Sequence, residues 1–325
     1  MPVKLITPDA FDAPGGVSQY YTRMVRACGA LGCPIEWVNM GQWRPDAGQP
    51  DRDLLILTNQ DVRLIPQPYA CIGVAHGSAM ERAVRNGDTG MWLDMGKQQA
   101  EAGLRNRTFW VSTCPISALD VKNHMGVTID RIIVVGCDTA TIFPGERQIR
   151  REDTRTPVIV HNCTEQNKGS DVFPAVEAEL RGQFEFRRLA CVPDKLGDFL
   201  READMFLQLS REEGGPNVIC EAMSAGLVVV GSNVGVLALL TPDVAIQSRE
   251  AGCVAWVNRD AGVVSFDWKL LAKPLLLADF VRGAWANRAL LDPRPYALQH
   301  FDMALYGQHW CDAIQAAAGK LGVNL

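Results

Sequence analysis

The feature that most constrains this chain is the alternation of short, continuously apolar runs with longer amphipathic stretches. "VKLIT", "DLLILTN", "CIGVAH", "TFWVST" and "RIIVVG" come first, and "PVIVHN", "RRLACV", "DMFLQLS", "LVVVGS" and "CVAWV" follow. A strand that is apolar on both faces must be covered on both, and the helical stretches in between supply the covers. The pattern therefore predicts an α/β fold of parallel sheets. With 325 residues, 47% of them hydrophobic, the chain holds enough apolar material for two cores. The expected architecture is two doubly wound, Rossmann-like domains. "FPGERQIRREDTRTP", Phe143 to Pro157, is polar, charged in both signs and bounded by prolines, which suits an exposed connection and sets the boundary near residue 150. The domains are then residues 1–150 and 151–298. In "YALQHFDMALYGQHWCDAIQAAAGKLG" apolar residues recur at helical spacing, which predicts a terminal helix over 299–325, packing back toward the first domain.

Charge excludes more than it selects. The formal net charge is −5; basic and acidic residues balance 15 to 15 through residue 150 and stand at 17 to 22 after it. Neither part has the basic excess expected of a protein that binds nucleic acid or an anionic membrane. Ten cysteines, mostly inside or beside apolar runs and never in a CxxC pair, read as reduced, small apolar side chains rather than a disulfide framework or zinc site. "MPVKLITPDAFDAPGG" lacks the apolar core of a signal peptide, and no apolar run approaches the ~18 residues of a membrane span. A cytoplasmic protein without an integral membrane segment is the expectation.

The candidate chemistry concentrates in "DMFLQLSREEGGPNVICEAMSAG". It predicts a strand, a loop "REEGG" and a helix "PNVICEAMSAG", with Pro216 in the first turn and Gly226 at the end. In an open parallel sheet ligands sit beyond the carboxyl ends of the strands, where loops enter helices. Free N–H groups at a helix start attract phosphate or sugar oxygens, and Gly214 and Gly215 let a ligand approach the main chain. Glu213 in the loop and Glu221 a turn into the helix could reach two parts of one extended ligand; an ionised carboxylate only accepts, so its partners are hydroxyls. Taken alone, the spacing reads more simply as an ordinary strand-to-helix turn with two solvated carboxylates.

The longer string "EGGPNVICEAMSAGLVVVGSNVG" resembles the signature of the retaining glycosyltransferases of family four, in which a Glu-x7-Glu motif follows a glycine turn. "APGGVSQYYTRMV" is similar to the family's N-terminal glycine loop and first helix, "VAHG" to the strand end bearing its histidine, and "NKGSDVF" to its lysine element. "VSTCPISALDVKNHMGVTIDRIIVVGCDTATIFPG" resembles the run that ends in its "PNGVD" turn, and "FDMALYGQHW" the closing helix. These matches keep the family's order over residues 3–258. The resemblance implies the GT-B fold: two Rossmann-like domains facing across a cleft, the acceptor mainly on the first and the nucleotide-sugar donor mainly on the second. Between Lys168 and "READMFLQLS" there is room for one strand and one helix, so a trimmed second sheet is expected.

The resemblance assigns Glu221 to the ribose hydroxyls and Glu213, with the main chain of Gly214, Gly215, Pro216, Asn217 and Val218, to the donor sugar. Lys168 would neutralise the donor diphosphate, which gains charge as it leaves. Gly15 and Gly16 would approach the diphosphate and the acceptor, His76 would stand near the transferred sugar as a hydrogen-bonding group, and Val192 would meet the nucleobase through its main chain. Gly136, Cys137 and Asp138 would form an architectural turn. Family members carry an arginine shortly before the lysine; "HNCTEQNKG" has none, which leaves Asn162 to donate a hydrogen bond and Arg187, Arg188 or Arg211 to supply a charge. The implied reaction moves a sugar from a nucleoside diphosphate sugar to an unidentified hydroxyl acceptor with retention, by a front-face route in which the departing phosphate helps deprotonate the acceptor. No cofactor is implied, and no metal-binding DxD signature is recognised, so metal independence is expected. Neither G-x-S-x-G nor HExxH points to another centre. Two further readings stay open: a non-catalytic sugar-nucleotide-binding or partner subunit, and a glycosyltransferase acting on hydroxylated bases of nucleic acid. The last would need a basic cleft, for which the charge balance gives no support.

Overall fold

The computed structural model describes residues 3–11, 13, 15–45, 50, 52–145, 155–240, 245–248 and 253–324. The boundary expected near residue 150 lies outside the described residues. The chain divides into two compact units, Met1–Gly136 with Met303–Leu325, and Cys137–Asp302. Among the described residues, no helix is long and apolar enough to cross a membrane.

In the first unit six parallel strands, β1 (Val3–Thr7), β2 (Ile35–Asn39), β3 (Leu54–Thr58), β4 (Ala70–Ala75), β5 (Thr108–Ser112) and β6 (Arg131–Ile132), stand in the order β2-β1-β3-β4-β5-β6. Every residue of β3, β4 and β5 is buried, as continuously apolar runs require of central strands. The helices are α1 (Gly16–Ala30), α2 (Ala79–Asn86), α3 (Met91–Gly103) and α4 (Pro115–Met125). Ser78 starts α2 by accepting from the Glu81 N–H, and Pro115 opens α4 where a missing N–H costs nothing. The last helix, Met303–Leu321, packs on α1: the Tyr306 hydroxyl donates to the Tyr20 carbonyl at 3.1 Å, and the Tyr20 hydroxyl donates to the Ile133 carbonyl at 3.2 Å.

The second unit carries β7 (Val158–His161), β8 (Glu185–Arg188), β9 (Met205–Gln208), β10 (Val228–Ser232), β11 (Ala245–Ser248), β12 (Cys253–Asn258) and β13 (Val263–Phe266), in the order β11-β12-β13-β10-β9-β7-β8. Its helices are α5 (Phe173–Leu180), α6 (Leu196–Arg201), α7 (Asn217–Ser224), α8 (Val236–Leu239), α9 (Pro274–Ala286) and α10 (Arg294–His300), which makes the terminal helix α11. Val176 and Leu180 of α5 and Leu277 and Val281 of α9 bury Ile159, Met205, Leu207 and Val230 on one face of the sheet. Helix α7 packs on β9 and β10 from the other face.

The departures from the sequence reading have local causes. Only Arg131 and Ile132 of "RIIVVG" pair, as an exposed edge. Only Arg187 and Arg188 of "RRLACV" pair, and Leu189 to Val192 leave the sheet. "CVAWV" is antiparallel, because the tight turn to β13 leaves no room for a crossover helix. The sheet ends one strand beyond β7, trimmed on that edge, while the β11–β12 pair extends the other. Pro216 caps α7 rather than opening it. The terminal helix breaks at Phe301 and Asp302, where the Cys137 N–H donates to the Phe301 carbonyl and the Thr139 hydroxyl to the Asp302 carboxylate, at 2.6 and 2.7 Å. In both sheets the winding reverses beside the first strand, between β1 and β3 and between β7 and β9. Such switch points open a crevice at the carboxyl ends of the two strands.

Candidate functional site

At the switch point of the second unit, β7 ends in a 3₁₀ turn over Gln166–Lys168, and β9 runs through Ser210 and Glu213 into α7. Gly169, at φ +78°, seats the turn: a Cβ there would stand 2.4 Å from the Leu209 carbonyl oxygen. Asn167 Nδ2 donates to the Glu212 carbonyl at 3.0 Å, and the Arg211 N–H donates to the Asn167 carbonyl at 2.8 Å, so the two loops are stitched together. This brings Lys168 Nζ to 2.6 Å and Ser210 Oγ to 2.8 Å from one oxygen, Oε1 of Glu213. The Lys168 and Glu213 side chains are 28% and 12% exposed, enough for a ligand to reach them and little enough to strengthen the pair. Both donors hold Oε1, and Oε2 makes no hydrogen bond among the described residues. The sequence reading assigned Ser210 no role; its hydroxyl stands three residues before Glu213 and meets the carboxylate only because of how the loop folds.

Gly214 and Gly215 lie in the loop, Pro216 caps α7, and Asn217 and Val218 begin it. Glu221, in the middle of this helix, is 3% exposed and so is no solvated surface carboxylate. Burial pushes the Cys191 thiol up and the Glu221 carboxylate adds to the shift, which sets the loop of Cys191 and Val192 beside Glu221. Val192 itself is exposed, with extended backbone. Gly235, at φ +59°, closes over this turn: a Cβ would stand 2.7 Å from Pro216 Cδ and 3.0 Å from Glu213 Cβ.

Two of the three arginines weighed as a replacement charge are committed elsewhere. Arg211 grips Asp171 with two hydrogen bonds, at 2.9 and 2.7 Å. Arg187 pairs with Glu185 and Glu202. Arg188 makes no ion pair among the described residues; it ends β8 beside His161, and its charge joins burial in lowering that imidazole to about 4. Asn162 is buried at the mouth of β7, and its Oδ1 has no hydrogen-bond partner among the described residues.

The carboxyl edge of the first sheet gathers different groups. Gly15, at φ +126°, caps α1 and Gly16 begins it, and among the described residues no heavy atom beyond their chain neighbours and the helix's own backbone lies within 4 Å of where either Cβ would stand. His76 follows β4 with its ring edge-on to Tyr20 and Tyr21, at 4.8 and 5.2 Å between centroids. Its Nε2 and the Tyr21 hydroxyl are buried without a partner among the described residues. Burial lowers the imidazole to about 4, so His76 is neutral at pH 7. Asp61, just beyond β3, accepts from the Thr58 hydroxyl, and burial raises its carboxyl. One Asp-x-Asp string does occur, Asp51-Arg52-Asp53. Asp53 lies at the amino end of β3, paired with Lys4 at 3.0 Å and away from the ligand edge, and Asp51 lies outside the described residues.

Residues 154–261 match the family model described as glycosyl transferases group 1. No curated protein matches the chain. Among solved structures, a sucrose-phosphate synthase from Thermosynechococcus elongatus superposes with a TM-score of 0.72 at 12% identity, covering 98% of this chain and 100% of that one. Anabaena HepE in complex with UDP-glucose gives 0.67 at 12% identity, with 96% and 99% covered. WaaG, a glycosyltransferase involved in lipopolysaccharide biosynthesis, gives 0.60 at 14% identity, with 97% and 99% covered. The chain therefore has the fold of the GT-B glycosyltransferases, with a glycosyl transferases group 1 match over 154–261.

Proposed function

We propose that the protein is a retaining glycosyltransferase that moves a sugar from a nucleoside diphosphate sugar to a hydroxyl acceptor. The observation that carries this reading is the Lys168–Glu213–Ser210 cluster at the β7–β9 switch point, one loop away from buried Glu221. Lys168 meets the diphosphate as it gains charge, a contact stronger in the transition state than in the ground state. Glu213, held through Oε1, offers Oε2 to a hydroxyl of the transferred sugar. Glu221 takes the ribose, Val192 lies along the nucleobase, and the main chain from Gly214 to Val218 borders the sugar and the diphosphate. Arg188 is the cation best placed to stand in for the absent arginine, and Asn162 adds a polar group. The UDP-glucose bound to HepE, a protein of the same fold, supports a nucleoside diphosphate sugar as the ligand class.

In the first unit, Gly15, Gly16 and neutral His76 serve the acceptor side, His76 as a hydrogen-bonding group rather than a cation. The front-face course needs no protein nucleophile: the leaving phosphate takes the acceptor proton. With Lys168 supplying positive charge, transfer proceeds without a divalent ion and is expected to survive EDTA. A thermal-shift screen against UDP-, GDP-, ADP- and TDP-sugars tests the donor reading, since a ligand of the native state raises its melting point by mass action. A shift with one donor, followed by product with the anomeric configuration of that donor by NMR, is expected. Nucleotide binding with neither hydrolysis nor transfer would favour a binding subunit instead.

A further inference from the structure

A second polar layer lies beneath the Ser210–Glu213 contact. Met205, Leu207 and Leu209 pack into the apolar cluster with α5 and α9, so Gln208, alternating with them, faces the α7 side of the sheet. Gln208 is 0% exposed, and neither its Oε1 nor its Nε2 has a hydrogen-bond partner among the described residues. β7 pairs with β9 so that Val160 lies beside Phe206 and His161 beside Leu207. One further step of that register sets Asn162 beside Gln208. His161 stacks on Phe173 at 3.8 Å on the α5 side, so Asn162, the next residue, turns to the side of Gln208. Asn162 is 8% exposed, and its Oδ1 is likewise unpartnered. Across from Gln208, Gly231 of β10 contributes no side chain. Two carboxamides thus stand side by side at the carboxyl edge of the switch point, on the face covered by the helix that carries Glu221.

Buried polar groups are nearly always satisfied, and a fully buried amide with both ends unpaired calls for a partner. The unpaired set has two acceptors, Oε1 of Gln208 and Oδ1 of Asn162, and one NH₂ donor. A phosphate oxygen only accepts and would leave both carbonyls unsatisfied, whereas a hydroxyl both donates and accepts. We propose that Gln208 and Asn162 form a subsite that reads a hydroxyl of the nucleotide sugar, an assignment that rests on the donor site proposed above. Glu213 and Glu221 offer carboxyl oxygens to hydroxyls, and the amide layer adds a neutral contact that can also donate.

Gln208→Leu keeps the volume and removes the polar atoms, so its melting point without ligand should stay level or rise. Its dissociation constant should rise about tenfold or more, by calorimetry, for whichever of UDP-, GDP-, ADP- and TDP-glucose binds the wild type. Weakening of the free diphosphate as well assigns the ribose hydroxyls; weakening of the sugar nucleotide alone assigns the transferred sugar. Either result supports the subsite. A lower melting point with unchanged affinity identifies a trapped water and overturns it, and so does a variant unchanged in both respects. If Gln208→Leu fails to fold, Asn162→Ala at the rim of the layer gives the same reading: weakened binding supports the subsite, and unchanged affinity overturns it. Wild-type protein that binds none of the four sugar nucleotides brings down the donor site and the subsite together, a result distinct from the others.

Discussion

The two units turn back beside their first strands in the same way, and the carboxyl edges they expose are built from opposite chemistry. At the β7–β9 edge a lysine and a serine hydroxyl donate to one oxygen of a glutamate, and the ion pair stays reachable from solvent. At the β1–β3 edge burial disfavours the charged forms: the imidazole of His76 is pushed down, the carboxyl of Asp61 up and the phenol of Tyr21 up. The same topology thus presents an ion pair at one edge and groups whose charged forms burial disfavours at the other. Under the proposed function, a diphosphate leaving group would belong at the first and an acceptor hydroxyl at the second.

The largest expected effect tests which edge meets the developing charge. Lys168→Ala should lower kcat/KM for transfer by about 10²–10³, or roughly 3–4 kcal/mol, with His76→Ala costing no more than about a tenth of that factor. A greater loss at His76 would invert the comparison. Next comes the pH dependence of stability. The unfolded chain protonates His76 near pH 6.5, and the folded chain does so only near 4. Stability is therefore complete above about 6.5 and falls as pH drops toward 4, by on the order of 3 kcal/mol at saturation. Buried His161, also lowered to about 4, adds a loss of the same sign. Urea unfolding at pH 7 and pH 4.5 should show His76→Gln losing less stability than wild type; an equal loss would show that the imidazole does not resist protonation.

Smaller effects refine the charged edge. Gly235→Ala forces a side chain into a left-handed backbone and against Pro216 and Glu213. It should cost about 1–3 kcal/mol of stability and weaken donor binding, both readable from melting points with and without donor. Arg188→Ala should weaken the nucleotide diphosphate a few-fold, about 0.5–1 kcal/mol, and flatten the salt dependence of binding, with Arg187→Ala as the silent control.

Much of the strand framework beneath this contrast was legible in the sequence, for identifiable reasons. Central strands are continuously apolar, so β1, β3, β4, β7, β9 and β10 announce themselves. β2 carries Glu36 and Asn39 on a half-exposed edge, and β13 is four residues set directly after β12. Neither stands out as a run. Lys168 and Glu213, 45 positions apart, are joined by the order of motifs, and the structure sets them 2.6 Å apart. The burial of Glu221 and the unpaired amide of Gln208 depend on which strand lies beside which, and the fate of Arg211 on a contact with Asp171. These are long-range facts that local patterns do not encode.

The central claim is that the β7–β9 edge binds a nucleoside diphosphate sugar through Lys168 and Glu221. Calorimetric titration of the donor found in the thermal-shift screen into wild type, Lys168→Ala and Glu221→Ala tests it most directly. Saturable one-to-one binding to wild type, weakened tenfold or more in each variant with melting points preserved, is the predicted result. Affinity unchanged in both folded variants, or no saturable binding of any sugar nucleotide to the wild type, would contradict it.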